Sequence, residues 1–474
     1  MADRRLAARM QLVEIEDAST TTTWSRHPDD EPPPGIPLGH PPVLRWWPVA
    51  VLVVLALLAA AMLASARDRA FVARIVAVPG LVRPLDAAPA PLWHVRGRTA
   101  NGTVLSAEGA LVVLAEGDTD WDLTSHDPAT GDVRWTVPVA PVSRSGFEST
   151  SVICPAQAAD VGSLVLCLVR QPRVVYSDEA SIQEQPHLAV LPLSARDGTR
   201  VGGWQVRGSV VAIDRVADDL VIGIMQPDGH LQVQRRSGRS GAVVWSYVSP
   251  VALAQLLSAT VRVMPPIVVL DGESTIVLDV DDGHALVTGA RFTGLQVAAL
   301  GDRFATWAPV GGGQMRDVDG TPLYALSSLP AQLAADDGSE PGLVMVDDGP
   351  QLGALDLATG TETWRTRTAL DPRLLVSHRL VVSGAGTYGV LDASDGRKLW
   401  SVDTGDALAW PPLSDGTLVL GTGSSPDGKP ELWGRGLSDG VRYWAVPLPE
   451  HVRHVDAVGG HLVVRTPNDL IAYG

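Results

Sequence analysis

The sequence predicts an all-β fold: a single β-propeller of four-stranded blades, about eight in number within a range of seven to nine. One transmembrane helix and a disordered tail precede it. Three observations predict this. A ten-residue motif ending in tryptophan recurs at intervals near forty residues, the period of a propeller blade. Turn formers are in excess, with Gly 47 and Pro 36 among 474 residues. Between the turns lie apolar runs of strand length without helical spacing, such as Leu343-Val344-Met345-Val346 and Leu418-Val419-Leu420.

The motif is clearest as Leu355-Asp356-Leu357-Ala358-Thr359-Gly360, with Trp364 four residues beyond the glycine. It returns as Leu391-Asp392-Ala393-Ser394-Asp395-Gly396 with Trp400, and as His126-Asp127-Pro128-Ala129-Thr130-Gly131 with Trp135. Weaker copies end in Gly241 with Trp245 and Gly440 with Trp444. Gly320 with Tyr324 and Gly283 with Val287 are weaker again, and Gly198 keeps the pattern with Trp204 two residues late. Asp followed by small residues and Gly makes a tight hairpin, because glycine takes positive φ at low steric cost. The aromatic residue then falls on the next strand, where its area can be buried between blades. Trp135, Trp204, Trp245, Trp364, Trp400 and Trp444, with Gly131, Gly360, Gly396 and Gly440, are therefore expected to be structural.

The pattern L-D-x-x-[TS]-G-x-x-x-W resembles the pyrroloquinoline-quinone (PQQ)-like propeller repeat over residues 91–474. Quinoprotein alcohol dehydrogenases share it, as do non-catalytic relatives such as an outer-membrane assembly lipoprotein. The resemblance implies eight blades, although the eight turn signals and a split closing unit formally give nine, the copy near Gly283 being the one set aside. Closure is expected between Pro91-Leu92-Trp93-His94-Val95 and three strand-like runs in Val452–Gly474, which leaves no open sheet edge. For an enzyme the resemblance implies PQQ over a Trp floor, a disulfide of adjacent cysteines, Ca²⁺ held by Glu and Asn, and an Asp base. Cys154 and Cys167 stand 13 positions apart and do not meet that pattern. They fall on neighbouring strands, as a disulfide of an extracytoplasmic protein or as two buried thiols.

Trp46 to Ala66 is free of charge and long enough to span a bilayer. The expected organisation is a cytoplasmic tail over 1–45, a transmembrane helix over 46–66, a linker over 67–90 and the propeller over 91–474. Ala64-Ser65-Ala66 looks like a signal-peptidase site, but the apolar run is longer than a typical signal core, which favours an uncleaved signal-anchor. Arg45 on one side against Arg67, Arg69, Arg74 and Arg83 on the other would place the propeller in the cytosol by the positive-inside rule. The family resemblance and the cysteines place it outside, at the cell membrane.

The net charge of −16 opposes nucleic-acid binding, which needs a basic face. No H-E-x-x-H or P-loop motif is present. Asp279-Val280-Asp281-Asp282-Gly283 imitates the start of a Ca²⁺ loop, but Ala290 stands where the closing Glu belongs, so it reads as a repeat turn. No catalytic, metal or cofactor residues are assigned. The function expected is a non-catalytic binding or scaffold propeller for an envelope protein or glycan, the alternatives being a PQQ- and Ca²⁺-dependent alcohol or sugar dehydrogenase and an extracytoplasmic sensor. The insertion Arg170–Gln185, with Tyr176, Asp178, Glu179 and Glu184, is expected to be a long contact loop.

Overall fold

The repeat turns build the blades. In the turn that ends at Gly360, the glycine N–H donates to the Asp356 carbonyl at 2.8 Å, and the Asp356 carboxylate accepts the Thr359 N–H at 2.8 Å. Gly360 has φ +71° there, a conformation any side chain would strain. The same bond, from the glycine to the fourth residue before it, recurs at Gly131, Gly198, Gly241, Gly283, Gly396 and Gly440. After the turns at Gly131, Gly241, Gly360 and Gly396 the strand pairing shifts by one residue, a bulge that re-aims the side chains that follow.

The computed structural model describes residues 47–85, 87–97, 103–142, 150–156, 160–177, 180–254, 258–404 and 410–474. The tail expected over 1–45 lies outside these residues. Nine sheets form nine blades, numbered from the N-terminal side. Blades one to five span residues 104–141, 151–206, 209–248, 260–288 and 296–326. The copy at Gly283 thus forms a blade of its own, and the ring reaches nine, the upper end of the expected range. In blade six the inner strand is reduced to Pro330 bridging Val346, and the chain crosses so that Ala335–Asp336 lies parallel to the inner strand of blade seven. Blades seven and eight span residues 371–403 and 413–447.

Blade nine closes the ring as expected. Its three inner strands lie within residues 454–473, and its outer strand is Pro91–Arg96, paired antiparallel with Asp469–Tyr473. Because the last sheet takes a strand from the other end of the domain, opening the ring requires breaking that ladder.

The helix is longer than expected, running from Trp47 to Ala77 over 31 residues. From Val51 to Leu63 its large apolar side chains are exposed. Residues 67–77 extend it where a linker was expected, because no proline interrupts the chain before Pro79. Ile75 and Phe71 are the atoms a side chain at Gly416 of blade eight would meet, and Val76 those at Gly460 of blade nine. The chain then runs over the turns of these blades: Val82 N–H donates to the Ser414 carbonyl at 2.8 Å, Arg83 N–H to the Gly460 carbonyl at 2.8 Å and Leu85 N–H to the Asp415 carboxylate at 3.1 Å. Ile75 and Leu81 are fully buried. Residues 66–85 are therefore a strap belonging to the propeller.

The Arg83 guanidinium lies 3.5 Å from the His461 ring, and burial, with that cation alongside, pulls His461 down to about 4. Below its ordinary value of 6.5 the unfolded chain takes up a proton that the folded protein refuses. Stability should therefore be unaffected above pH 6.5 and fall as pH drops from 6.5 towards 4. A His461→Gln variant should lose this part of the slope in denaturation curves across that window; an unchanged slope would assign the acid sensitivity elsewhere.

Candidate binding site

Each repeat tryptophan except Trp444 is seated on the turn of the following blade. A Cβ added at Gly198 would lie 2.7 Å from Trp135, at Gly241 2.5 Å from Trp204, at Gly283 2.6 Å from Trp245, at Gly396 2.4 Å from Trp364 and at Gly440 2.6 Å from Trp400. Trp93 occupies Gly131 and Tyr324 occupies Gly360 in the same way, at 2.5 Å and 2.3 Å. The indole N–H then donates to the carbonyl three residues before that glycine: Trp135 to Ala195 at 2.9 Å, Trp245 to Val280 at 3.0 Å, Trp364 to Ala393 at 2.8 Å and Trp400 to Leu437 at 3.1 Å. Blade four departs from the expected spacing, since Leu286 rather than Val287 approaches Gly320.

Burial of the tryptophans is less uniform than expected. Trp135, Trp245 and Trp364 are 8%, 7% and 8% exposed. Trp204, Trp400 and Trp444 are only half-buried. Trp444 faces blade nine, which has no turn into its outer strand, and its indole N–H has no acceptor among the described residues. Trp245→Ala and Trp364→Ala should each cost about 3–5 kcal/mol in chemical denaturation. Trp444→Ala should cost clearly less; equal losses would refute the seating account.

Cys154 and Cys167 form a disulfide within blade two. The insertion beyond them is no loose loop: Leu164–Ser177 and Ala180–Ser194 pair as a long hairpin, in which Arg173 stands opposite Glu184 and Tyr176 opposite Ser181. Asp178 and Glu179 lie outside the described residues. Cys154→Ala and Cys167→Ala should each lower stability by about 3 kcal/mol, the scale expected for so short a closed loop. The double variant should add little; additive losses would mean that the two thiols act separately.

A concave site does exist, built from none of the residues the repeat marks. In an up-and-down blade the first-to-second and third-to-fourth turns share one end of the strands, so the strap and the glycine turns share one face of the ring. At the opposite face, over blades four to seven, lies a cavity of about 700 Å³. The second-to-third turn of blade four supplies Asp271 and Thr275, and the reduced inner strand of blade six supplies Pro330 and Ala331. Blade seven begins at the cavity with Asp371, Pro372 and Arg373, and Arg262 reaches it from blade four. Arg262 holds the Asp271 carboxylate through Nε at 3.2 Å and Nη2 at 2.6 Å. Arg373 Nη2 holds Asp371 at 2.6 Å while its Nε donates to Ser383 Oγ at 3.3 Å. Asp347 accepts the Gly349 N–H at 2.7 Å. These carboxylates are committed to cations and turns, and among the described lining residues no nucleophile stands against a base.

The lining does not fit a quinone site, because among its described residues none is aromatic and none is Glu or Asn. Asp279, Asp282 and His284 converge at the blade-four turn, on the other face, with Asp279 half-buried and the other two exposed. Asp279 Oδ1 there accepts the Asp281 and Asp282 N–H groups, so that oxygen serves the turn.

A family model described as outer membrane protein assembly factor BamB matches residues 313–469, about a third of the chain. A quinoprotein ethanol dehydrogenase from Pseudomonas aeruginosa is 29% identical over 113 residues, 21% of this chain and 18% of that protein. The chain thus matches about a fifth of the length of that curated relative. Among solved structures, BamB from Moraxella catarrhalis is similar at 13% identity and a TM-score of 0.42, covering 81% of this chain and 99% of that one. A quinohemoprotein alcohol dehydrogenase from Comamonas testosteroni is similar at 11% identity and a TM-score of 0.37, covering 86% and 81%. With nine blades in place, the chain is a β-propeller that carries a PQQ-like repeat.

Proposed function

We propose that this protein is a single-pass, membrane-anchored propeller whose ring stands outside the cytoplasm and binds a segment of an envelope protein in the cavity over blades four to seven. The observation that carries this is the cavity itself, concave and lined by two Arg–Asp pairs. Each guanidinium uses only part of its donors on its own aspartate, leaving nitrogens for a carboxylate or carbonyl of a ligand. A protein segment suits this lining better than a glycan, because sugar rings are commonly held against aromatic faces and none lies among the described lining residues. An apolar helix long enough to cross a membrane supports the anchor, and a disulfide supports an oxidising compartment.

The test is photo-crosslinking from Gln332, on the cavity wall, in intact cells. A defined adduct should form and disappear in an Arg262→Glu/Arg373→Glu variant that still sediments with membranes and resists carbonate extraction. An adduct unaffected by the double variant would remove the cavity from the proposal. Micromolar, Ca²⁺-dependent quenching of tryptophan fluorescence by PQQ, accompanied by oxidation of an alcohol or sugar, would restore the enzyme reading.

A further inference from the structure

The outer strand of every blade is an exposed sheet edge, and proteins guard such edges with charge, proline or brevity. Six blades here follow that rule at an exposed position of the strand, with Arg134 in blade one, Pro322 in five, Arg365 in six, Lys398 in seven, Arg442 in eight and Arg96 in nine. The outer strands of blades two and four are only three and four residues long. Blade three breaks the rule. Its outer strand, Val243–Val248, runs six residues with neither charge nor proline. Trp245 and Tyr247 turn towards blade four and pack in its core. Val244, Ser246 and Val248 point the other way, and both valines are 53% exposed.

We propose that this strand pairs antiparallel with the same strand of a second copy of the chain. A two-fold axis normal to the sheet keeps each face of the strand on the same side in both copies, so residues pair only with residues of their own face. Centred on Ser246, that register sets Val244 opposite Val248 of the second copy, Trp245 opposite its Tyr247 and Ser246 opposite its own counterpart. Valine–valine and aromatic–aromatic cross-strand pairs are among the favourable ones. The corresponding register in blade six would set Arg365 opposite its own copy, a like-charge contact. The overall charge of −16 also opposes approach of two copies, least where the meeting surface carries no charge. The contact is isologous and closes on itself, giving a dimer rather than a filament.

The test uses the full chain in detergent. Ser246→Cys places two thiols opposite each other across the axis, within disulfide reach for a cross-strand pair. Mild oxidation should yield a covalent dimer through residue 246. Adding Val244→Lys and Val248→Lys should abolish it and weaken the dimer seen by light scattering more than about tenfold. Both valines are exposed, so an unchanged melting temperature should show that the lysine variant folds. A Ser246→Cys protein that gives no covalent dimer, or a dimer indifferent to the two lysines, would overturn the proposal, as would capture of that cysteine by a different protein.

Discussion

The fold depends on one contact made again and again: an aromatic ring on the outer strand of one blade, pressed on a turn glycine of the next. Two constraints meet there. The turn needs positive φ, and the ring needs the space a side chain would fill, so glycine answers both. The indole N–H, which would be costly to bury alone, finds the carbonyl exposed by the same turn. Burial, backbone conformation and hydrogen bonding are thus satisfied by one residue pair, and each blade fixes the orientation of its successor.

Closure follows from that chain of contacts. Trp93, on a strand that precedes blade one in sequence, docks on Gly131 and donates to Pro128 at 3.0 Å while its strand completes blade nine. The aromatic contact is missing at two junctions: between blades four and five, where Leu286 stands at Gly320, and between blades eight and nine, where Trp444 finds no turn to receive it. The strap compensates at the latter. Ile75 and Leu81 pack with blades seven and eight, Val82 with blades eight and nine, and backbone bonds tie the strap to both of the last two blades. The ring is therefore reinforced at the junction where the receiving turn itself is missing.

The glycine and tryptophan spacing made the blades, the closing strand and the structural role of Trp135, Trp245 and Trp364 legible, because a turn and the ring it receives obey local rules. The blade at Gly283 was harder to read, since Leu286 seats one residue earlier than the tryptophans do elsewhere. The strap left no strand-like pattern, as its order comes from turns more than three hundred residues away. The cavity was illegible for the same reason: Arg262, Asp271, Pro330 and Arg373 come from different blades, and no local motif unites them. Repetition encodes the ring, whereas the face over blades four to seven arises from where repetition lapses, above all in the reduced inner strand of blade six.

The most direct measurement of this account is exchange of the indole N–H protons with solvent, followed by NMR on protein labelled at its 14 tryptophans. The indoles of Trp93, Trp135, Trp204, Trp245, Trp364 and Trp400, each bonded to the next blade, should exchange slowly and together, at the rate of global opening. That of Trp444 should exchange much faster. If Trp444 were as protected as the others, or if those six exchanged at scattered and rapid rates, the seating of each ring on its neighbour would not be what holds the propeller closed.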